Sequence, residues 1–458
     1  MQRSIQEGSD IVMKKLKGTD KKDKKNQSWE PDVIEKDLCT AFSPEWLRKT
    51  AQETGLIKRE RKVDPTIMFW VLVMSFGVRL ERCLASIKRS YEKSSDKKLS
   101  DSSWYERFTP ELVAFLKVCV IHAIEHLAQE QNRILNEKIA KFKDVLIQDS
   151  TIIRLHETLA KKWPAARSRT VAAGIKVSSL VSAVADGPKS IAIYAESTNE
   201  LKTLRIGPWI KNRILLIDLG FYKHQLFARI KENGGYFVSR LKGNADPLIM
   251  DVHNTCRGNS IDVKGKHLSE ILPKLKRQVL DVEVEISFKR RNYNGKERKD
   301  SVQFRLVAVF NEDEEKYHVY LTNISPEVLG PEDIAKLYGA RWDIELIFKE
   351  LKSRYALDVV NTTNPQIVEA YIWIAVLTLF ISRRIYSIVR KHSPKEKMVR
   401  YTQLRWSTIF AENANDQLTA ILHYCGIERT FEMVMNVYQS QALDPHVNRY
   451  RFREEWWA

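Results

Sequence analysis

The stretch Tyr338-Gly-Ala-Arg341-Trp342-Asp-Ile-Glu345-Leu-Ile-Phe348-Lys-Glu-Leu-Lys352 gathers the side chains best suited to chemistry. An α-helix advances about 100° per residue, so Tyr338, Arg341, Glu345 and Lys352, at offsets 0, 3, 7 and 14, share one narrow stripe. Leu337, Ile344, Ile347, Phe348 and Leu351 fall on the adjacent stripe, with a spacing suited to facing a core. The spacing therefore predicts one helix that buries an edge and presents a phenol, a guanidinium, a carboxylate and an ammonium beside it. Arginine offers a planar fork for phosphate oxygens and lysine a mobile point charge, while a tyrosine hydroxyl can donate to a phosphate oxygen. That mixture suits a phosphodiester backbone and its metal ions. A solvated face with an Arg341–Glu345 pair contributing roughly 0.2–0.5 kcal/mol fits the same pattern.

Elements upstream can bring further carboxylates to that stripe. Lys143–Gln148 reads as a buried strand ending in Asp149, and Ile214–Ile217 as a central strand, covered on both faces, ending in Asp218. Gly174–Ala185 and Ser190–Ala195 read as strands around Asp186-Gly187-Pro188. Glu200–Ile206 reads as a short helix, His224–Glu232 as a helix and Tyr236–Leu241 as a strand. Strands interleaved with helices predict an α/β three-layer sheet. Cleavage of a phosphodiester by two metal ions needs a few carboxylates converging on hard divalent cations, one activating the attacking oxygen and the other stabilising the leaving oxygen. Mg²⁺ keeps several waters, so two or three Asp or Glu side chains suffice. Asp149, Asp218 and Glu345 could supply them. Each acid taken singly also fits a structural role: Asp149 before Ser-Thr as a turn cap, and Asp218 before Leu-Gly as the start of an Asx-turn.

The order Tyr, two residues, Arg, three residues, Glu, six residues, Lys resembles the signature of the DDE transposases of the insertion-sequence-four family, matched at all four positions. Leu146-Ile-Gln-Asp149-Ser-Thr and Leu215-Leu-Ile-Asp218-Leu-Gly-Phe-Tyr222 also look like that family's acidic motifs, so the resemblance covers roughly residues 140–390. It implies an RNase H-like catalytic core with an antiparallel β insertion, flanked by N- and C-terminal helical domains. It implies catalytic, metal-holding roles for Asp149, Asp218 and Glu345, and DNA contacts by Tyr338, Arg341 and Lys352. It further implies two Mg²⁺ ions, replaceable by Mn²⁺, and a cut-and-paste transposase acting on double-stranded DNA, at the inverted repeats of a transposon end and at a target. A dimer in the DNA-bound synaptic complex and a cytoplasmic, nucleoid-associated location belong to the same expectation. An RNase H-like nuclease without strand transfer, and an inactive or recruited transposase-derived DNA-binding protein, are the alternatives. Some relatives stack a flipped base on a tryptophan of the β insertion, yet no Trp occurs between Trp209 and Trp342. Tyr293 or Phe288 could replace it, and whether a hairpin intermediate forms stays open.

Composition agrees with a polyanionic partner. Lys plus Arg number 75 against 58 Asp plus Glu, a formal charge of +17 in 458 residues, which favours nucleic acid or an anionic membrane surface without specifying a fold. The five cysteines, Cys39, Cys83, Cys119, Cys256 and Cys425, are far apart and lack a Cys-x-x-Cys, so neither a disulfide framework nor a zinc site is expected, in keeping with a reducing cytoplasm. No apolar segment follows the lysine-rich start, so no signal peptide is expected. The apolar runs Ile67–Val78 and Ala370–Ser382 fall short of the ~20 residues of a spanning helix and read as core helices.

Along the chain, residues 1–28 read as a disordered basic arm and 29–135 as a helical DNA-binding domain. Its helices are opened by Ser43-Pro44, Asp64-Pro65 and Thr109-Pro110. Lys58, Arg59, Arg61, Lys62, Lys88, Arg89, Lys97 and Lys98 give it basic edges. Residues 140–243 form the first part of the core, 244–324 the β insertion with an Asn294-Gly295 hairpin signal, 325–395 the second part of the core and 396–458 a C-terminal helical region. Two or three helices are expected over 396–440, with breaks near Asn413 to Asp416 and at Gly426. Arg240, Lys242, Lys161, Lys162, Arg167 and Arg169 are weaker candidates for backbone contact, and the tail Arg449–Trp457 interleaves aromatics with cations.

Overall fold

In the computed structural model the expected caps open the N-terminal helices. The structure describes residues 32–428 except 59–62, 76–82, 129–134, 136, 167–170, 186, 257–258, 294–295 and 395–401, together with 430, 433 and 435. The basic arm 1–28, the Asn294-Gly295 turn, Arg59, Arg61, Lys62, Arg167, Arg169 and the tail Arg449–Trp457 lie outside the described residues. After α1 (Val33–Ala41), Ser43 accepts from the Trp46 N–H to start α2 (Pro44–Glu53). Asp64 accepts from Thr66 and Ile67 to start α3 (Pro65–Met74). Helices α4 (Leu84–Ser95) and α5 (Asp101–Tyr105) follow, and Thr109 caps α6 (Pro110–His126). At Ser43, Asp64 and Thr109 a side-chain oxygen satisfies an N–H that the first turn leaves unpaired. Every residue of α3 is buried, as a helix apolar all round requires.

A nine-stranded sheet follows. Its strands are β1 (Asp144–Leu155), β2 (Ala173–Ser182), β3 (Gly187–Ala195), β4 (Arg213–Ile217), β5 (Tyr236–Arg240), β6 (Leu248–Val252), β9 (Val279–Tyr293), β10 (Lys296–Asn311) and β11 (Lys316–Thr322); the short β7 (Thr255–Cys256) and β8 (Asn259–Ser260) pair with each other. The order is β3-β2-β1-β4-β5-β11-β10-β9-β6. β1 lies parallel to β4 and β4 to β5, while the other neighbours are antiparallel. The strands of 244–324 continue the same sheet, through the pairing of Tyr320, Leu321 and Thr322 of β11 with Arg240, Ser239 and Val238 of β5.

Alternation along the strands sends side chains to two cores. Ile147, Leu216, Val238 and Val307 face one hydrophobic cluster, and Leu146, Leu215, Phe237 and Leu306 the other. The second cluster is closed by α7 (His224–Glu232), with α8 (Leu268–Ile271) on the same side. The first is closed by α9 (Pro331–Gly339), α10 (Trp342–Tyr355), α11 (Pro365–Lys391) and α12 (Gln403–Tyr424), together with the N-terminal helices. Helix α11 has the length and apolarity to cross a membrane, but 89% of its apolar window is buried inside the protein. It is longer than the run Ala370–Ser382 because Asn364 and Pro365 start it early and charged residues through Lys391 extend it.

Further expectations are corrected. Asp149 does not end its strand: β2 keeps pairing with β1 from Leu146 to Leu155, while the pairing with β4 stops at Gln148. Glu200–Ile206 is a helix only over the 3₁₀ turn Glu200–Lys202. Residues 338–352 form two helices, not one. The turn between them is tightened by i→i−3 bonds, Ala340 to Leu337 (3.1 Å), Arg341 to Tyr338 (3.0 Å) and Ile344 to Arg341 (3.3 Å). Helix α12 runs unbroken through Asn413–Asp416, with Ala411 and Ala414 buried along it, because an apolar face against the core outweighs weak local propensity.

Helix α10 is anchored from behind. Glu350 is fully buried, accepting from Arg383 and from the Tyr355 hydroxyl (2.8 Å), whose oxygen is also hydrogen-bonded to the Ser382 hydroxyl of α11 (2.7 Å). Removing one member of a buried ion pair leaves the other charge unpaired. Glu350→Ala should therefore cost about 3–5 kcal/mol, read as a lowered midpoint in urea denaturation; a loss below about 1 kcal/mol would mean that the network contributes no more than a surface pair.

Candidate active site

The site lies where the sheet divides. β4 ends at Ile217 and its next residue is Asp218; opposite it, β1 passes Gln148 into Asp149 and from there pairs with β2 alone. Beyond Gln148 no β4 residue pairs with β1, so Asp149 lacks a strand partner on that side. Asp149 is partly buried, and its Oδ1 accepts from the Ser150 N–H at 2.7 Å. Helix α10 then brings Glu345 across from the other side. Arg341, at the start of that helix, lies between the acids: Nη1 is 3.4 Å from Asp149 Oδ2 and Nη2 is 2.5 Å from Glu345 Oε1. The side chains of Arg341 and Asp149 are each 19% exposed.

The electrostatics follow from this crowding. Burial, with Asp218 and Glu200 nearby, pushes the Asp149 carboxyl up to about 6, against the opposing pull of the Ser150 N–H and Arg341. Burial and then Asp218 push the Tyr338 hydroxyl up to about 12. Burial disfavours the charge on Arg341, but the Glu345 hydrogen bond, Asp218 and Tyr338 favour it, and its net shift is upward.

The sequence-predicted DNA contacts have distinct settings. Tyr338 is buried against Tyr320, ring centroids 5.3 Å apart, and its hydroxyl donates to the Ile217 carbonyl (3.4 Å), just before Asp218. Lys352 is half-buried and donates to the Ile152 carbonyl of β1 (3.1 Å). Arg240 lies near enough to Tyr338 to oppose the rise in its pKa, and so belongs to the same neighbourhood. Lys162 pairs with Glu369 (2.7 Å), while Lys161 and Lys242 are exposed. Lys88 is not a basic edge: it is buried, with Asp101 at 2.7 Å and Glu92 at 3.7 Å.

One residue of this site escapes the sequence reading. Glu200, on the 3₁₀ turn Glu200–Lys202, accepts from the Ser150 hydroxyl (3.2 Å) and lies 3.9 Å from the buried Lys176 amine. It also reaches the turn after Asp218, where a Cβ on Gly220 would stand 1.9 Å from Glu200 Oε2. Glycine at 220 thus lets a fourth carboxylate close on both the strand that carries Asp149 and the turn that follows Asp218. Nothing in the periodicity around Glu200 marks it; the signal available is the glycine two residues after Asp218.

The donor set is all carboxylate oxygen, which suits a hard divalent cation, and the raised Asp149 is repelled by acids that such a cation would neutralise. Among the described residues no three His, Cys, Asp or Glu side chains are gathered into a finished cation cage. Arg341 supplies the positive charge between Asp149 and Glu345 instead.

Comparison with known proteins accords with the site. The model of the transposase DDE domain matches residues 140–381, more than half of the chain, and the chain belongs to this family of DDE transposases, enzymes that act on DNA. The transposase for insertion sequence element IS231F of Bacillus thuringiensis subsp. israelensis is 23% identical over 381 residues, spanning 75% of this chain and 78% of its own. The transposase for IS231D of Bacillus thuringiensis subsp. finitimus is 22% identical over 418 residues (81% and 84%). That for IS1151 of Clostridium perfringens is 21% identical over 387 residues (77% and 80%).

The raised Asp149 makes stability depend on pH with a definite sign. The folded state holds this proton more tightly than the unfolded chain, whose value is near 3.8, so the contribution is complete below that pH and is lost as pH rises through about 6. Asp149→Asn, which cannot ionise, should be more stable than the wild type at about pH 8 by on the order of 1–3 kcal/mol. The gap should close below about pH 4. Urea denaturation in a chelator across this range checks it; equal stabilities at about pH 8 would mean that Asp149 is not desolvated.

Proposed function

We propose that this transposase works by cut and paste, cleaving DNA at the ends of an insertion element and joining the freed 3′ hydroxyl to a target duplex. The observation that carries the reading is the convergence of Asp149 and Glu345 on one guanidinium, with Asp218 close enough to raise Asp149. Asp149, Asp218 and Glu345 are the catalytic acids in this reading. They would hold two Mg²⁺ ions, for which Mn²⁺ can substitute, supplying the charge that activates the attacking oxygen and stabilises the leaving one.

The protein groups around them have separable tasks. At neutral pH Asp149 is ionised but costly to keep so, which favours uptake of positive charge at the site. Arg341, released from the acids, presents its fork to a phosphate oxygen. Lys352, half-buried at the outer end of α10, holds the strand further along. Tyr338 steadies the end of β4 through the Ile217 carbonyl and contacts DNA only if its surroundings open.

The order β3-β2-β1-β4-β5, antiparallel up to β1 and parallel from β1 to β5, supports an RNase H-like core. In this reading β6–β11 form its insertion, and α1–α6 recognise the inverted repeats. Two protomers pair the element ends in a synaptic complex in the cytoplasm, at the nucleoid.

A strand-transfer assay with a pre-cut end tests this. Wild-type protein with Mg²⁺ should give joined product, and Asp149→Ala, Asp218→Ala or Glu345→Ala should each lower it by about three orders of magnitude or more. A wild type that hydrolyses the end without joining would identify a nuclease, and activity surviving all three substitutions would remove the acids from catalysis.

A further inference from the structure

The five cysteines are dispersed in the sequence, yet folding brings two of them together. Cys39, near the end of α1, and Cys425, immediately after α12, lie 386 residues apart with their sulfurs at 3.3 Å. We propose that Cys39 and Cys425 form a site of reversible oxidative modification, a disulfide joining α1 to the end of α12 when the protein meets a peroxide.

Three observations support the pair. The sulfurs need to approach by only about 1.3 Å to reach the ~2.05 Å of a disulfide. Helix α1 is already docked by other bonds, with Asp37 accepting from Arg384 of α11 (Nε, 2.7 Å) and Glu35 from Gln417 of α12 (2.6 Å). The sulfurs therefore meet without ordering a mobile segment. Cys425 also ends its helix next to Gly426, whose φ of 75° marks the chain reversal, so the small approach can be taken up in a terminal turn.

The two sulfurs differ in a way that assigns the chemistry. Cys39 is buried and Cys425 half-buried. The contact with Cys39 lowers the Cys425 pKa, while the same contact, then burial, raises Cys39. Cys425 is accordingly the attacking thiolate. It takes one oxygen of the peroxide to become a sulfenic acid as the O–O bond breaks and hydroxide leaves, which the released thiol proton converts to water. The Cys39 sulfur then attacks the Cys425 sulfur; the S–O bond breaks, and a second water leaves with the Cys39 proton. Two thiols and one hydrogen peroxide give one disulfide and two waters. The cross-link would fasten the N-terminal helices to α12, which also bonds α10 through Arg354 and Thr408 (3.0 Å).

The experiment is peroxide treatment of the full-length chain, alkylation with N-ethylmaleimide, digestion without reductant and mass spectrometry. A linked peptide pair containing Cys39 and Cys425 is expected, with free thiols falling from five by two and recovering in dithiothreitol. Cys39→Ser should abolish the link and leave Cys425 over-oxidised. Cys119, fully buried, and Cys83, exposed, serve as internal comparisons. The proposal is overturned if Cys39 remains alkylatable after treatment, if it is found joined to another cysteine, or if the urea-unfolded chain gives the same link in equal yield.

Discussion

Several carboxylates are forced into one small, partly dry space, and the positive charge of Arg341 makes that tolerable. Burial, and then the nearby charges of Asp218 and Glu200, raise the cost of ionising Asp149, whose carboxyl is pushed up to about 6. The guanidinium touches Asp149 on one side and Glu345 on the other. Taken from water without it, these acids would repel strongly at low effective dielectric. The local architecture serves that arrangement: the division of β1 from β4 sets the aspartates, and the start of α10 sets the cation between acids from separate elements.

Such an arrangement needs a rigid frame, because the acids come from points almost 200 residues apart in the chain. The nine-stranded sheet provides it from one side. Strands β9–β11 buttress the short β4 and β5, which are only five residues each, through β11. From the other side α10 is locked by Glu350, Tyr355 and Arg383 to α11, and α11 is itself buried among the N-terminal helices. Thr378 of α11 donates to the Val73 carbonyl of α3 (2.8 Å), so the N-terminal helices help hold the helix that carries Glu345. The transposase DDE match covers 140–381; packing shows why the preceding helices are not simply appended to it.

Much of this was legible in the sequence because it rests on local rules. Ser43, Asp64 and Thr109 before proline set three helix starts, and the continuous isoleucine and leucine run at Ile214–Ile217 set a buried central strand. Resemblance to the DDE transposases carried the acidic motifs further than spacing could, since Asp149 and Asp218 singly look like turn residues. Most of what was illegible depends on partners distant in sequence. Asp149 sits within its strand because β2 pairs on beyond β4. The stripe 338–352 is two helices because the turn at Ala340 tightens. Glu200 is seen only once Gly220 and Ser150 are beside it. Cys39 and Cys425, read as unrelated, meet because the first and last described helices pack together.

Convergence of these acids on divalent cations is tested most directly by Mn²⁺ titration of the DNA-free protein, followed calorimetrically. If Arg341 holds the place of the metal, wild-type protein should bind Mn²⁺, Asp149→Asn should lose that binding, and Arg341→Gln should bind more tightly because its internal competitor is gone. Binding unchanged by Asp149→Asn, or weakened by Arg341→Gln, would contradict the account.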